Sequence, residues 1–122
     1  MEPLNIVLYQ QDAGIAHALA ANLSQHFPSV HLTRSREEIR PAIARYRAEV
    51  LIRDVEKSGS GELERLHQEF PGLYIVCTHR LADEELWAEA LKQGAADMCL
   101  PWNTDDVVRS VMRERAHRAA AA

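Results

Sequence analysis

Five short apolar runs, each separated from the next by a stretch with helical apolar spacing, constrain this chain more than any other feature. The runs cover residues 6–9, 30–33, 50–54, 73–77 and 98–100. Brief runs without polar alternation fit strands buried on both faces, the pattern of a parallel sheet. Between them, Ile15, Leu19, Leu23 and Phe27 recur in steps of four up to Pro28, as one face of a helix would. Ile39, Ile43 and Tyr46 form a second stripe, Leu63, Leu66 and Phe70 a third, and Leu86, Trp87, Ala90 and Leu91 a fourth that Gly94 is placed to end. Val107, Val108, Val111 and Met112 make a fifth. Asn103 or Thr104 is available to cap it, and Asp105 and Asp106 lie in its first turn, where negative charge suits the helix dipole. Parallel strands need long crossovers, and helices supply them here. The prediction is therefore an α/β fold: one three-layer α/β/α domain around a five-stranded parallel sheet.

One local conflict stands out. Ser35 and Glu38 have the spacing of a capping box for the second helix. A helix starting at Ser35 would carry Pro41 past its first turn, so a kink or a later start is expected.

Size and charge narrow the function classes. A chain of 122 residues buries a real core without staples, and the domain is expected over residues 1–118, with Ala119 to Ala122 as a fraying tail. The formal charge of −4 argues against direct nucleic-acid binding, which relies on basic patches. The basic stretches 34–47 and 109–118 are interleaved with Glu or apolar residues at helical spacing and read as solvated helix faces. No run approaches the roughly 20 apolar residues of a membrane span, and the N-terminus lacks a basic segment followed by an apolar one. A cytoplasmic protein without membrane attachment is expected. Cys77 and Cys99 sit inside apolar runs without metal spacing, as small buried hydrophobes do. His17, His26, His31, His67 and His117 are scattered without ligand spacing. Ser58 to Gly61 lacks both the P-loop and the dinucleotide pattern and reads as a mobile loop.

The third run ends in Asp54, which places a carboxylate at the carboxyl end of a central strand, where open α/β sheets keep their sites. The first run ends at Gln10 Gln11 Asp12 and the fourth at Thr78 His79 Arg80. Asp54, Thr78, Gly94 Ala95 before the fifth run and Pro101 Trp102 after it are four landmarks in a characteristic order and spacing. From about Asn5 to about Arg118 the chain resembles the CheY-like receiver domain of two-component response regulators. The resemblance implies a flavodoxin-like strand order of 2-1-3-4-5, with the ends of the first, third and fourth strands meeting in one crevice. By position it implies that Asp54 is a phosphoacceptor served by a sensor histidine kinase, and that Thr78 carries the hydroxyl that senses the phosphoryl oxygens. It also implies a divalent ion, Mg²⁺, and a lysine to offset the charge of the transferring group.

The departures fall on those charge-offsetting pieces. Where the family has two acidic residues after the first strand, this chain has Gln10 and Gln11, whose carbonyls can ligate a hard cation only without charge. Asp12 lies one position beyond the pair, and Asp12, Gln11, Gln10 and Glu56 together make a weak candidate metal set. Leu100 stands where the lysine before Pro101 is expected, and Met98 or Asp97 stands where the family has an aromatic residue. Lys57 Ser58 replaces the usual Met-Pro step after Asp54. Lys57, His79 and Arg80 are either substitutes for the missing lysine or solvated loop residues. Arg53, in the middle of an apolar strand, needs a carboxylate partner if buried. Trp87 and Trp102 read as packing residues, Trp102 at a position where the family has an aromatic beside the site.

This pattern points to an atypical, pseudo-receiver signalling module rather than an enzyme. It would act by binding a sensor histidine kinase or another signalling protein, or by dimerising through its fourth helix, fifth strand and fifth helix. The alternative is a working phosphoacceptor that catalyses its own phosphorylation through an altered metal site. An unrelated flavodoxin-like binding protein is a third reading, although no cofactor loop is visible. Without an output domain in these residues, the chain reads as a stand-alone receiver or as the N-terminal piece of a longer regulator.

Overall fold

The computed structural model describes residues 4–55, 61–81 and 83–121. Glu56, Lys57 and the Ser58 to Ser60 part of the predicted loop lie outside the described residues. The elements follow in the order β1 (Asn5–Tyr9), α1 (Ala13–Ser24), β2 (Ser29–Leu32), α2 (Ile39–Tyr46), β3 (Val50–Asp54), α3 (Glu62–Glu69), β4 (Tyr74–Thr78), α4 (Glu84–Lys92), β5 (Asp97–Cys99) and α5 (Thr104–Ala121). The strands pair in the order β2-β1-β3-β4-β5, all parallel, as predicted.

Burial on both faces explains the unbroken apolar runs. Side chains alternate between faces along a strand, so Ile6 and Leu8, Val50 and Ile52, and Val76 pack with Leu19 and Leu23 of α1 and Val107 and Val111 of α5. Val7, Leu51, Ile75 and Cys77 pack on the other face against Ile39 and Ile43 of α2, Leu63 and Leu66 of α3 and Ala90 of α4. Among the described residues, no helix is long and apolar enough to cross a membrane.

The conflict at Pro41 resolves as a later start. A single 3-10 turn over Arg36–Glu38 precedes α2, which begins at Ile39. Pro41 therefore lies in the first turn, where a missing N–H costs nothing. The expected capping box does not form: Ser35 makes no side-chain cap, and Glu38 Oε2 instead accepts from the Arg34 amide at 2.7 Å. Gly94 follows α4 with φ +116°, a conformation glycine adopts without strain. The alanine tail continues α5, which is helical through Ala121. Arg118 of that helix also donates to the carbonyls of Gly72 and Glu49, joining α5 to the lower edge of the sheet.

Candidate functional site

Because every strand runs the same way, the carboxyl ends of β1, β3 and β4 open together at one edge of the sheet. The register pairs Tyr9 with Arg53 and Asp54 with Thr78, so Gln10, next after Tyr9, falls in a row with Asp54 and Thr78. Asp54 is half-buried in the middle, while Gln10 and Thr78 are 6% and 0% exposed. Thr78 Oγ1 donates to Gln10 Oε1 at 3.0 Å. Those residues stand on strands two places apart, about 10 Å, so the Gln10 side chain crosses β3 to reach Thr78. Its Nε2 is buried and meets no partner; an unpaired buried donor costs about 1–3 kcal/mol.

The next two residues of the loop are engaged as well. The Gln11 amide donates to Asp54 Oδ2 at 2.8 Å. Asp12 Oδ1 accepts from the Ile15 amide at 3.0 Å and caps α1, a role that an Asp just before a helical stripe signals in sequence. A cleft of about 710 Å³ opens above the row, with His79, Arg80, Leu81 and Pro101 on its wall.

Beneath Asp54 lies a buried cation. Arg53 is 3% exposed on the face opposite Asp54. Its Nη1 approaches Glu62 Oε1 at 2.6 Å, and its Nε donates to the Asp54 carbonyl at 3.0 Å. Glu62, in the first turn of α3, is the carboxylate that burial of this arginine requires, and sequence spacing alone did not identify it. Tyr9 lies beside the pair; burial raises its phenol above the usual range, Asp54 adds to the rise, and Arg36 and Arg53 oppose it.

No protein-family model matches the chain, and no curated protein matches it. Solved structures do. A CheY-like response regulator receiver domain protein from Methanospirillum hungatei superposes with a TM-score of 0.83 at 17% identity, covering 99% of this chain and 100% of that one. The N-terminal domain of an uncharacterized protein from Wolinella succinogenes gives 0.83 at 19% identity, covering 99% and 100%. An orphan response regulator of H. pylori gives 0.79 at 13% identity, covering 90% and 94%. This chain has the CheY-like receiver fold.

On the receiver fold, the row at the ends of β1, β3 and β4 occupies the crevice the sequence pointed to, and it brings Asp54, Thr78, Gln10, Gln11 and Asp12 together. Glu56, the remaining member of the candidate metal set, lies outside the described residues. The donors that are described suit Mg²⁺ poorly. Mg²⁺ wants octahedral oxygens, commonly anchored by carboxylates, and Asp12 and Asp54 are the two carboxylates among the described residues lining the cleft. Asp12 uses Oδ1 to cap a helix and Asp54 uses Oδ2 to accept a backbone amide, which leaves one oxygen on each. Among the described residues no cluster of three or more His, Cys, Asp or Glu could hold an ion. Beyond the crevice, Trp102 is 61% exposed and Leu91 of α4 is 49% exposed, whereas Trp87 packs against the core with its indole nitrogen buried.

Proposed function

We propose that this receiver fold serves two-component signalling as an atypical receiver, acting by partner binding or dimerisation with weak or no phosphorylation at Asp54. One observation carries the reading: the Thr78 hydroxyl is already held by the Gln10 carboxamide across Asp54. A carboxylate accepts a phosphoryl group only where the group's negative charge is offset. Here the β1–α1 loop presents amides and a committed helix cap instead. In such a module the output comes from a surface rather than from a covalent step. The exposed Leu91 and Trp102 support a face built from α4, β5 and α5 for a second copy or a signalling partner such as a sensor histidine kinase, in a cytoplasmic setting.

The open cleft above the half-buried Asp54 favours a second reading, a working phosphoacceptor with an altered metal site. Intact mass separates the two. Wild type and Asp54→Ala are incubated with acetyl phosphate and Mg²⁺ and weighed. The first reading expects at most a small fraction of wild type, and none of Asp54→Ala, to gain phosphoryl mass. Near-complete phosphorylation of wild type that needs both Mg²⁺ and Asp54 overturns it and establishes the second.

A further inference from the structure

We propose that Gln10 is an intramolecular latch: its carboxamide crosses β3 beside Asp54, holds the Thr78 hydroxyl toward the crevice, and so sets the β4–α4 loop without any added group. The inference deepens the receiver reading. It rests on that reading for its regulatory meaning, although not for the hydrogen bonds themselves.

Three features make Gln10 a latch rather than an incidental contact. First, the residue is fixed on its far side: Gln11 is held to Asp54 by its amide and Asp12 caps α1. The carboxamide therefore extends from a stationary base. Second, its target is the hinge point between β4 and the loop that follows. Thr78 is wholly buried, the next amide, His79, donates to the Cys99 carbonyl at 3.1 Å, and the Leu81 amide donates to His79 Nδ1 at 3.2 Å. A shift of the backbone at Thr78 disturbs this chain of bonds, which begins at the next residue. Third, the amide is the right chemical group for the place. A carboxylate in this position would lie beside the Asp54 carboxylate, and like charges that close need a cation between them. A neutral amide accepts from Thr78 next to Asp54 with no counter-ion.

One end of the carboxamide, Oε1, accepts from Thr78, and the other, Nε2, is buried without a partner. An entering group that displaces Gln10 from Thr78 must therefore break an existing bond before it makes its own.

Amide hydrogen exchange, followed residue by residue by NMR in the absence of phosphate and divalent ions, tests this. Gln10→Ala and Thr78→Val are each expected to speed exchange of the Gln11 and Leu81 amides at least fivefold, with the double variant no faster than the faster single variant. Thr78→Ser, which keeps the hydroxyl, is expected to exchange at the wild-type rate. Unchanged protection of the β1 amides in every variant reports that the fold is intact. If Thr78→Val does not fold, the comparison of Gln10→Ala with Thr78→Ser decides alone. A smaller acceleration in Gln10→Ala, or accelerations that multiply in the double variant, overturns the latch. Weighing the same wild-type sample after acetyl phosphate and Mg²⁺ keeps the two claims apart: near-complete phosphorylation at Asp54 overturns the reading of weak or no phosphorylation and leaves the exchange result standing.

Discussion

Two rows of side chains, two residues apart on the same three strands and the same face, divide the labour of this molecule. Leu8, Ile52 and Val76 are in register across β1, β3 and β4 and are fully buried. Gln10, Asp54 and Thr78 continue those strands at their carboxyl ends. The first row is held by burial, which is non-directional and tolerates any aliphatic group of similar volume. The second is held by hydrogen bonds, in which each group must meet a particular partner. Moving one pleat along a strand therefore changes the rules from volume to pairing.

The largest break in this comparison comes from the apolar row. Ile52→Ala is expected to cost about 2–5 kcal/mol in chemical denaturation and Ile52→Val about 0.5–1.5 kcal/mol. Equal losses for the two would show that volume is not what the row is selected for. Next comes the ion pair beneath the polar row. Arg53 is buried, whereas the Glu62 side chain is 28% exposed, so the two halves are not equivalent. Glu62→Gln, which leaves the guanidinium buried beside a neutral amide, is expected to cost about 3 kcal/mol, the low end for a broken buried pair. Arg53→Met leaves a carboxylate that water can reach and is expected to cost less. The reverse order in thermal or denaturant melts would refute this account of the pair.

Gly94→Ala is a smaller and more local test. A Cβ there would sit 2.7 Å from Cγ of His67, on a backbone at φ +116°, and the cost is expected to be about 2 kcal/mol. His67→Ala in the same chain should recover part of that loss but not the backbone strain. The smallest effect at neutral pH concerns the thiols. Burial pushes Cys77 and Cys99 up to about 12 from an ordinary value of 9.0. Both prefer the neutral form in the fold, so the stability linked to them is complete below pH 9 and is lost as pH rises toward 12. Thiol-reactive dye at pH 8 should leave both untouched until the protein unfolds. Rapid labelling of the native protein would contradict that burial.

The apolar row was legible because period and run length report burial directly: the five strands and the crossover helices followed from where the aliphatic residues lie, while the sheet order came from the resemblance to receiver domains. The polar row was legible only as positions. Asp54 and Thr78 could be placed at strand ends, but the Gln10 bond to Thr78 joins residues 68 apart in sequence and depends on register and side-chain reach. Asp12 belonged to a local rule that was available: an Asp directly before a helical stripe is a cap, and the capping box at Ser35 and Glu38 was the same rule applied where the backbone chose a 3-10 turn instead. Arg53 announced its need for a carboxylate, but the identity of Glu62 depended on how α3 docks over β3.

The central claim is that the Thr78 hydroxyl is already held by Gln10 beside Asp54 with no added group. Its most direct test is the ¹H–¹⁵N amide spectrum of the wild-type chain titrated first with Mg²⁺ and then with beryllofluoride, a phosphoryl mimic. The account predicts no saturable shift at Gln11, Asp54, Thr78 or His79 through either addition. Saturable shifts at Gln11 and Thr78 that vanish in Asp54→Ala would contradict it, because they would show an open acceptor site in place of a closed row.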